Sequence, residues 1–138
     1  MSRTITVDWG SWSYMEIGLV DINGFAINDT VTLTTNAYDM DGQSVAEISV
    51  EVIEDDTGDT DGDFYVYILR DTDGTNYETA DDNPAFGTII TPDRNTTRRD
   101  SFHIRADEVS SFKVYCENDC GQQIELTLRI RYGIFTVQ

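Results

Sequence analysis

Residues Ile124-Glu125-Leu126-Thr127-Leu128-Arg129-Ile130-Arg131-Tyr132 alternate strictly between apolar and polar side chains. A helix would scatter those apolar groups around its axis. A strand places Ile124, Leu126, Leu128, Ile130 and Tyr132 on one face and the charges on the other. The same period of two recurs in Phe112-Lys113-Val114-Tyr115-Cys116, in 101–106, in Phe64-Tyr65-Val66-Tyr67-Ile68-Leu69 and in Ile48-Ser49-Val50-Glu51-Val52-Ile53. Residues 31–35, 15–20 and 87–90 read as further strands. Turn pairs punctuate them: Asn23-Gly24, Asp41-Gly42, Asp61-Gly62, Asp73-Gly74 and Asn83-Pro84. No window of about twelve residues carries a helical period, and 107–110 is long enough for one helical turn at most. Asn118-Asp119-Cys120-Gly121, between two alternating runs, predicts a β-hairpin. About seven to nine short strands with regular turns predict an all-β fold, an antiparallel β-sandwich or jelly roll with acidic loops. Residues 1–138 are expected to form a single domain, with 1–8 as an N-terminal arm.

Charge narrows the function. Asp and Glu number 26 against 9 Lys and Arg, a formal net charge of -17, and Lys113 is the only lysine. Eighteen of the acids are Asp, crowded into stretches such as 54–63. Such a chain lacks the surplus of cations that phosphate binding requires, which excludes nucleic acid as a partner. Anionic membrane surfaces are excluded on the same ground. Solubility, cationic partners and divalent metal are favoured. A hydrophobic content of 39% is too high for a disordered chain, and 138 residues bury a core without disulfide or metal staples. No apolar run approaches the ~20 residues of a membrane span. The first residues lack the apolar stretch of a secretory signal, so synthesis and folding in a cytoplasm are expected, with the Asn28 and Asn95 sequons unmodified.

Three Asp-x-Asp-Gly runs, at 39–42, 59–62 and 71–74, offer carboxylates with a glycine for a sharp turn, the raw material of a calcium loop. Asp59, Asp61 and Asp63 form the richest copy. It departs from the helix–loop–helix calcium template: with Gly62 at the glycine position, the twelfth position is Ile68 rather than Glu. Two readings stand side by side, a calcium site and an acidic hairpin turn. Cys116 and Cys120, with a single histidine in the chain, do not make a zinc site; free thiols are expected, with Cys116 on the face of Phe112 and Val114. His103 alternates outward between Phe102 and Ile104, with no nucleophile or orienting acid beside it in sequence. There is no phosphate loop, nucleophile elbow or two-histidine metal motif. No enzymatic site is expected.

Trp9 and Trp12, followed by Tyr14, are large aromatics of the kind that fill a core, anchor an interface or stack on a sugar ring. Arg94, Arg98 and Arg99 concentrate three of the nine cations in one stretch, expected as a loop with two equal readings: it docks onto the acidic surface of a neighbour through bidentate Arg–carboxylate contacts, or it is a solvated loop whose arginines pair with Asp93 and Asp100.

The run from Ser101 to Gly133 resembles the β-hairpin core of small tailed-phage virion proteins, including head-decoration (cement) proteins. It carries Phe102-His103-Ile104-Arg105-Ala106-Asp107, Phe112-Lys113-Val114-Tyr115 and Leu126-Thr127-Leu128-Arg129-Ile130-Arg131-Tyr132-Gly133. The resemblance covers about a quarter of the chain and transfers no functional residue. It implies a non-enzymatic structural protein of a virus particle, made in the host cytoplasm and located in the virion. Such a protein forms homo-oligomers or docks on a capsid or tail lattice, where weak contacts multiply by avidity. Trp9, Trp12, Arg94, Arg98 and Arg99 are the expected interface residues. The alternative is a calcium-dependent carbohydrate-binding module using Asp59, Asp61 and Asp63 with Trp9 or Trp12. No cofactor other than calcium is implied.

Overall fold

The computed structural model describes residues 3–54, 61–71, 75–80 and 87–137. The described residues form thirteen strands: β1 (Ile5–Trp9), β2 (Ser13–Tyr14), β3 (Glu16–Ile17), β4 (Val20–Asp21), β5 (Phe25–Ile27), β6 (Thr32–Thr34), β7 (Tyr38–Asp39), β8 (Val45–Ile53), β9 (Asp63–Arg70), β10 (Gly87–Ile90), β11 (Thr97–Arg105), β12 (Ser111–Asp119) and β13 (Ile124–Val137). Every paired strand is antiparallel. The all-β antiparallel sandwich expected from the alternation is the fold the chain adopts.

The first sheet is built on β13. One side of β13 pairs with β8, which pairs with β11; the other side takes β5, β2 and β1 in succession along its length. The second sheet runs β10-β9-β12, and β12 is completed by β6 and β7. Both sheets turn their alternating apolar residues inward. Ile48, Val50 and Val52 of β8 and Ile124, Leu126, Leu128 and Ile130 of β13 join Phe64, Val66 and Ile68 of β9 and Phe112, Val114 and Cys116 of β12 in one core cluster. Each large side chain buried there contributes about 1.5–3 kcal/mol over its exposed state.

The strands flanking residues 120–123 do not pair with each other, contrary to the hairpin expected from the sequence. β12 pairs with β9 and β6 in the second sheet, whereas β13 lies in the first. The chain crosses between sheets, with Gly121 at φ 86 supplying the left-handed turn that other residues resist. Buried Asn118 braces this crossing. Its Nδ2 donates to the Ile27 carbonyl (3.0 Å) and the Gln122 carbonyl (2.8 Å), and its Oδ1 accepts from the Cys120 amide (3.2 Å). Cys116 and Cys120 are both buried free thiols, and Cys116 lies on the inner face with Phe112 and Val114, as expected.

One further expectation is corrected. Residues 15–20 are not one strand: they contain β3 and the start of β4, a small hairpin turned at Gly18 (φ 59). Asn36 replaces the missing neighbour strand there, its amide side chain donating to the Gly18 carbonyl (2.7 Å) and accepting from the Gly18 amide (2.8 Å). The segment read as an N-terminal arm supplies β1, paired with the end of β13 from Ile5↔Val137 to Trp9↔Gly133.

β8 begins at Val45, opposite Gly133. β13 continues to Val137 with β1 as its partner, so the two form a ribbon that overhangs the sheet.

Candidate functional site

The outer face of the first sheet gathers three of the nine cations of this acidic chain, Arg99, Arg129 and Arg131. β8 presents Glu47, Ser49 and Glu51 outward, because Val50 and Val52 take the inner face. Register then decides which side chains stand beside them. Arg131 and His103 flank Glu47; Arg129 and Ser101 flank Ser49; Arg99 lies opposite Glu51. Glu47 Oε1 accepts from Arg131 Nε at 2.7 Å and lies 2.6 Å from Arg131 Nη2, while Glu47 Oε2 is 3.5 Å from His103 Nε2. Glu51 Oε1 accepts from Arg99 Nε at 2.6 Å and pairs with Arg129 Nη1 at 3.1 Å. The Arg99 hydrogen bond, assisted by Arg129, holds the Glu51 carboxyl below the ordinary carboxylate range despite partial burial.

Aromatic rings cover the arginines. The Arg131 guanidinium carbon is 4.3 Å from the Trp9 ring centroid and 4.6 Å from that of Trp12. Arg129 is 5.3 Å from the Tyr14 ring, and Trp9 reaches His103 with ring centroids 5.7 Å apart. Trp9 can lie across β13 because its cross-strand partner is Gly133. A Cβ there would come within 2.9 Å of Trp9 Cε3 and 2.5 Å of Val7 Cγ1.

Register extends this face along the ribbon. Val7 and Phe135 form the next pair beyond Trp9, and Ile5 and Val137 the one after. Ile5 is 67% exposed, Val137 60% and Phe135 38%, so an apolar strip runs from the ribbon tip to Trp9. Beside Phe135, where β8 has ended, a cleft of about 260 Å3 is lined by Ser44, Arg105, Ala106, Asp107 and Phe135. The Phe135 amide donates there to Ser44 Oγ at 3.0 Å.

The residues expected to act together are only partly brought together. Trp9, Trp12 and Arg99 share this outer face. Arg98 and Arg99 belong to strand β11 rather than to a loop, and as neighbours in a strand they point to opposite sides of it. Arg98 Nη2 pairs with Asp93 Oδ2 at 2.9 Å. Both arginines border a cleft of about 500 Å3 between β10 and β11, together with Ile89, Pro92 and Asp100. Arg94 is exposed in the turn before β11, bridged to Glu54.

Of the expected calcium set, Asp61 and Asp63 lie away from the face that carries Trp9 and Trp12. Asp59 lies outside the described residues. Asp61 is exposed beside the crossing, and Asp63 opens β9 in the second sheet, accepting from Thr91 Oγ1 at 2.7 Å. Among the described residues no three His, Cys, Asp or Glu side chains are arranged to hold a metal ion. The Asp41-Gly42 copy is a tight turn, with Gly42 at φ 73.

Sequence reasoning passed over Arg129, Arg131, Glu47, Glu51, Ser49 and Ser101. Their parity on alternating strands places them on the polar face; which of them meet is a matter of register alone.

No protein-family model matches the chain, and no curated protein matches it in sequence. Solved structures resemble it in shape. One, described as Bacillus endospore appendages that form disulfide-linked pili, is 14% identical with a TM-score of 0.42, covering 97% of this chain and 92% of that one. A structure of infectious bursal disease virus is 10% identical with a TM-score of 0.46, covering 96% of this chain and 32% of that one. A third, titled for the structure and function of a CBM4 module, is 14% identical with a TM-score of 0.40, covering 99% of this chain and 77% of that one. What the arginine and aromatic face can do follows from its own residues.

Proposed function

We propose that the protein is a non-enzymatic structural protein of a virus particle, of the surface-decorating kind, that assembles with copies of itself or on a capsid lattice through the β1–β13 ribbon. The observation that carries this reading is the apolar strip of Ile5, Phe135 and Val137. These side chains sit on paired, rigid strands and are 67%, 38% and 60% exposed. A contiguous apolar patch at the edge of a soluble sheet marks an interaction surface, and an uncovered edge strand is a template for another chain. Trp9 continues the strip inward and supplies the kind of rigid aromatic anchor that dominates interface energies. The virion setting rests on the sequence resemblance of residues 101–133 to small tailed-phage virion proteins and not on the hairpin, which is not formed.

Sedimentation velocity over a wide concentration range tests the assembly. The wild-type chain should form a defined oligomer, and Phe135→Glu should return it to monomer without lowering its melting temperature by more than a few degrees. A wild-type chain that stays monomeric at its highest attainable concentration and does not co-sediment with capsids would sink the reading.

A further inference from the structure

We infer that the outer face of the first sheet carries a metal-independent binding site for a neutral sugar, centred on the cleft between Trp12 and β11. The cleft is about 370 Å3 and is lined by Trp12, Glu47, Ser49, Arg99, Asp100 and Ser101. That volume lies near the lower end of the range for small-ligand sites, roughly 300 Å3. It exists because two small residues, Ser49 and Ser101, face each other across β8 and β11 while their neighbours along both strands are long. The depression therefore has a serine floor and walls made by the Glu47–His103 and Glu51–Arg99 rows.

The chemistry of the lining is that of a polyol site. Trp12 is 40% exposed and is steadied by Arg131, so its indole offers a prepositioned apolar platform for the C–H face of a pyranose ring. Directly opposed residues on adjacent strands have Cβ atoms about 5 Å apart, so the two serine hydroxyls can reach vicinal ring hydroxyls. Neither serine hydroxyl bonds to another described residue. Arg99 lines the cleft and spends its Nε on Glu51, and its terminal amino groups make no hydrogen bond to a described residue, leaving donors available to a ligand there. Glu47 is fixed by Arg131 and holds the wall.

The sign of the site selects the sugar class. The Glu47 carboxylate borders the cleft in a chain of formal charge -17, so uronic acids and sulfated sugars are disfavoured. A neutral hexose or pentose polymer fits. The site does not require the Asp59–Asp63 loop, and it does not rest on assembly through the ribbon.

Affinity electrophoresis in gels cast with soluble neutral polysaccharides (a β-glucan, a xylan, a galactomannan and dextran), with alginate as the uronate control and EDTA throughout, tests it. At least one neutral polymer should retard the wild-type chain, and alginate should not. Trp12→Ala should weaken that retardation by about tenfold or more. Because Trp12→Ala also uncovers Arg131, the double variant Ser49→Val with Ser101→Val, which keeps the Trp12–Arg131 stack, should weaken it by about tenfold through loss of the hydroxyl partners. Phe135→Glu, which addresses assembly alone, should leave retardation unchanged. Absence of retardation by every neutral polymer, equal retardation by alginate, or retardation undiminished in both cleft variants would overturn the inference.

Discussion

Arg131 is held against Trp9 with its guanidinium carbon 4.3 Å from the indole centroid, while the same guanidinium grips Glu47 at 2.6 Å. The contact joins the first described strand of the chain to the last. It depends on a planar, delocalised cation, because a guanidinium can stack and hydrogen-bond in its own plane at once.

Replacing Arg131 by Lys should therefore be costly although charge is kept. The stacked area and the two-point contact with Glu47 are both lost, and a destabilisation of about 1–2 kcal/mol is expected. Urea unfolding followed by tryptophan fluorescence measures it. A variant as stable as wild type would show that the stack contributes nothing net.

Gly133→Ala tests how Trp9 is seated. The added Cβ meets Val7 Cγ1 at 2.5 Å and Trp9 Cε3 at 2.9 Å, and overpacking of this kind costs about 1–3 kcal/mol. The ring must tilt off Gly133, so near-ultraviolet circular dichroism should change along with stability. An unchanged spectrum would mean that Trp9 does not lie where the structure places it.

Acid should weaken the fold partly through Glu51. Its carboxyl is lowered from 4.5 by the hydrogen bond from Arg99 and by Arg129. A depressed folded-state pKa means that the charged form is preferred in the native protein, so its contribution is present above the unfolded pKa and disappears as pH falls through the folded one. Stability measured from neutral pH down through the Glu range should fall less steeply in Glu51→Gln than in wild type. Parallel curves would refute the assignment.

Alkali acts through Tyr132, whose phenol is pushed up to about 12, mainly by burial. Here the neutral form is preferred in the native state, so stability is full below the ordinary value of 10.0 and is lost as pH rises toward about 12. Tyr132→Phe should flatten stability over that interval. Ultraviolet titration of the phenols alongside melting distinguishes this group from the other tyrosines.

Thiol chemistry reports on the core. Cys116 is fully buried, and burial pushes its thiol up, away from the reactive thiolate; Cys120 is shifted in the same direction. A thiol reagent at neutral pH should label the native chain slowly and both cysteines promptly in denaturant. Rapid labelling of the native protein would contradict the placement of these side chains inside the sandwich.

Much of the architecture was legible along the chain. Residues 87–90 form β10 with the bounds read from the sequence, and 64–69 sit within β9, because alternation with turn residues at both ends is a local property. The strand partners of 112–116 and of 124–132 were not legible. Each run announces one buried face, but alternation does not say which neighbour covers it, and here the chain changes sheet at Gly121. The hairpin at Gly18 was hidden for a different reason. It depends on Asn36, distant in sequence, completing its hydrogen bonds. The candidate site was half visible: Trp9, Trp12 and Arg99 stood out by type, whereas Ser49 and Ser101 carry no signal until they face each other across two strands.

What the amino-acid sequence determined by itself is the class of structure and its electrostatic character. Period-two burial and Asp-Gly turns define an antiparallel β protein, and 26 acids against nine cations define its surface. Tertiary structure alone decided where those nine cations went. Three, Arg99, Arg129 and Arg131, converge on one sheet face because strand register, set by the packing of Val50, Val52, Leu128 and Ile130 on the inner side, aligns their outward neighbours across β11, β8 and β13. The core residues choose the register to bury apolar area, and the polar face, with its stacked arginine and its serine-floored cleft, is the consequence on the opposite side of the same strands.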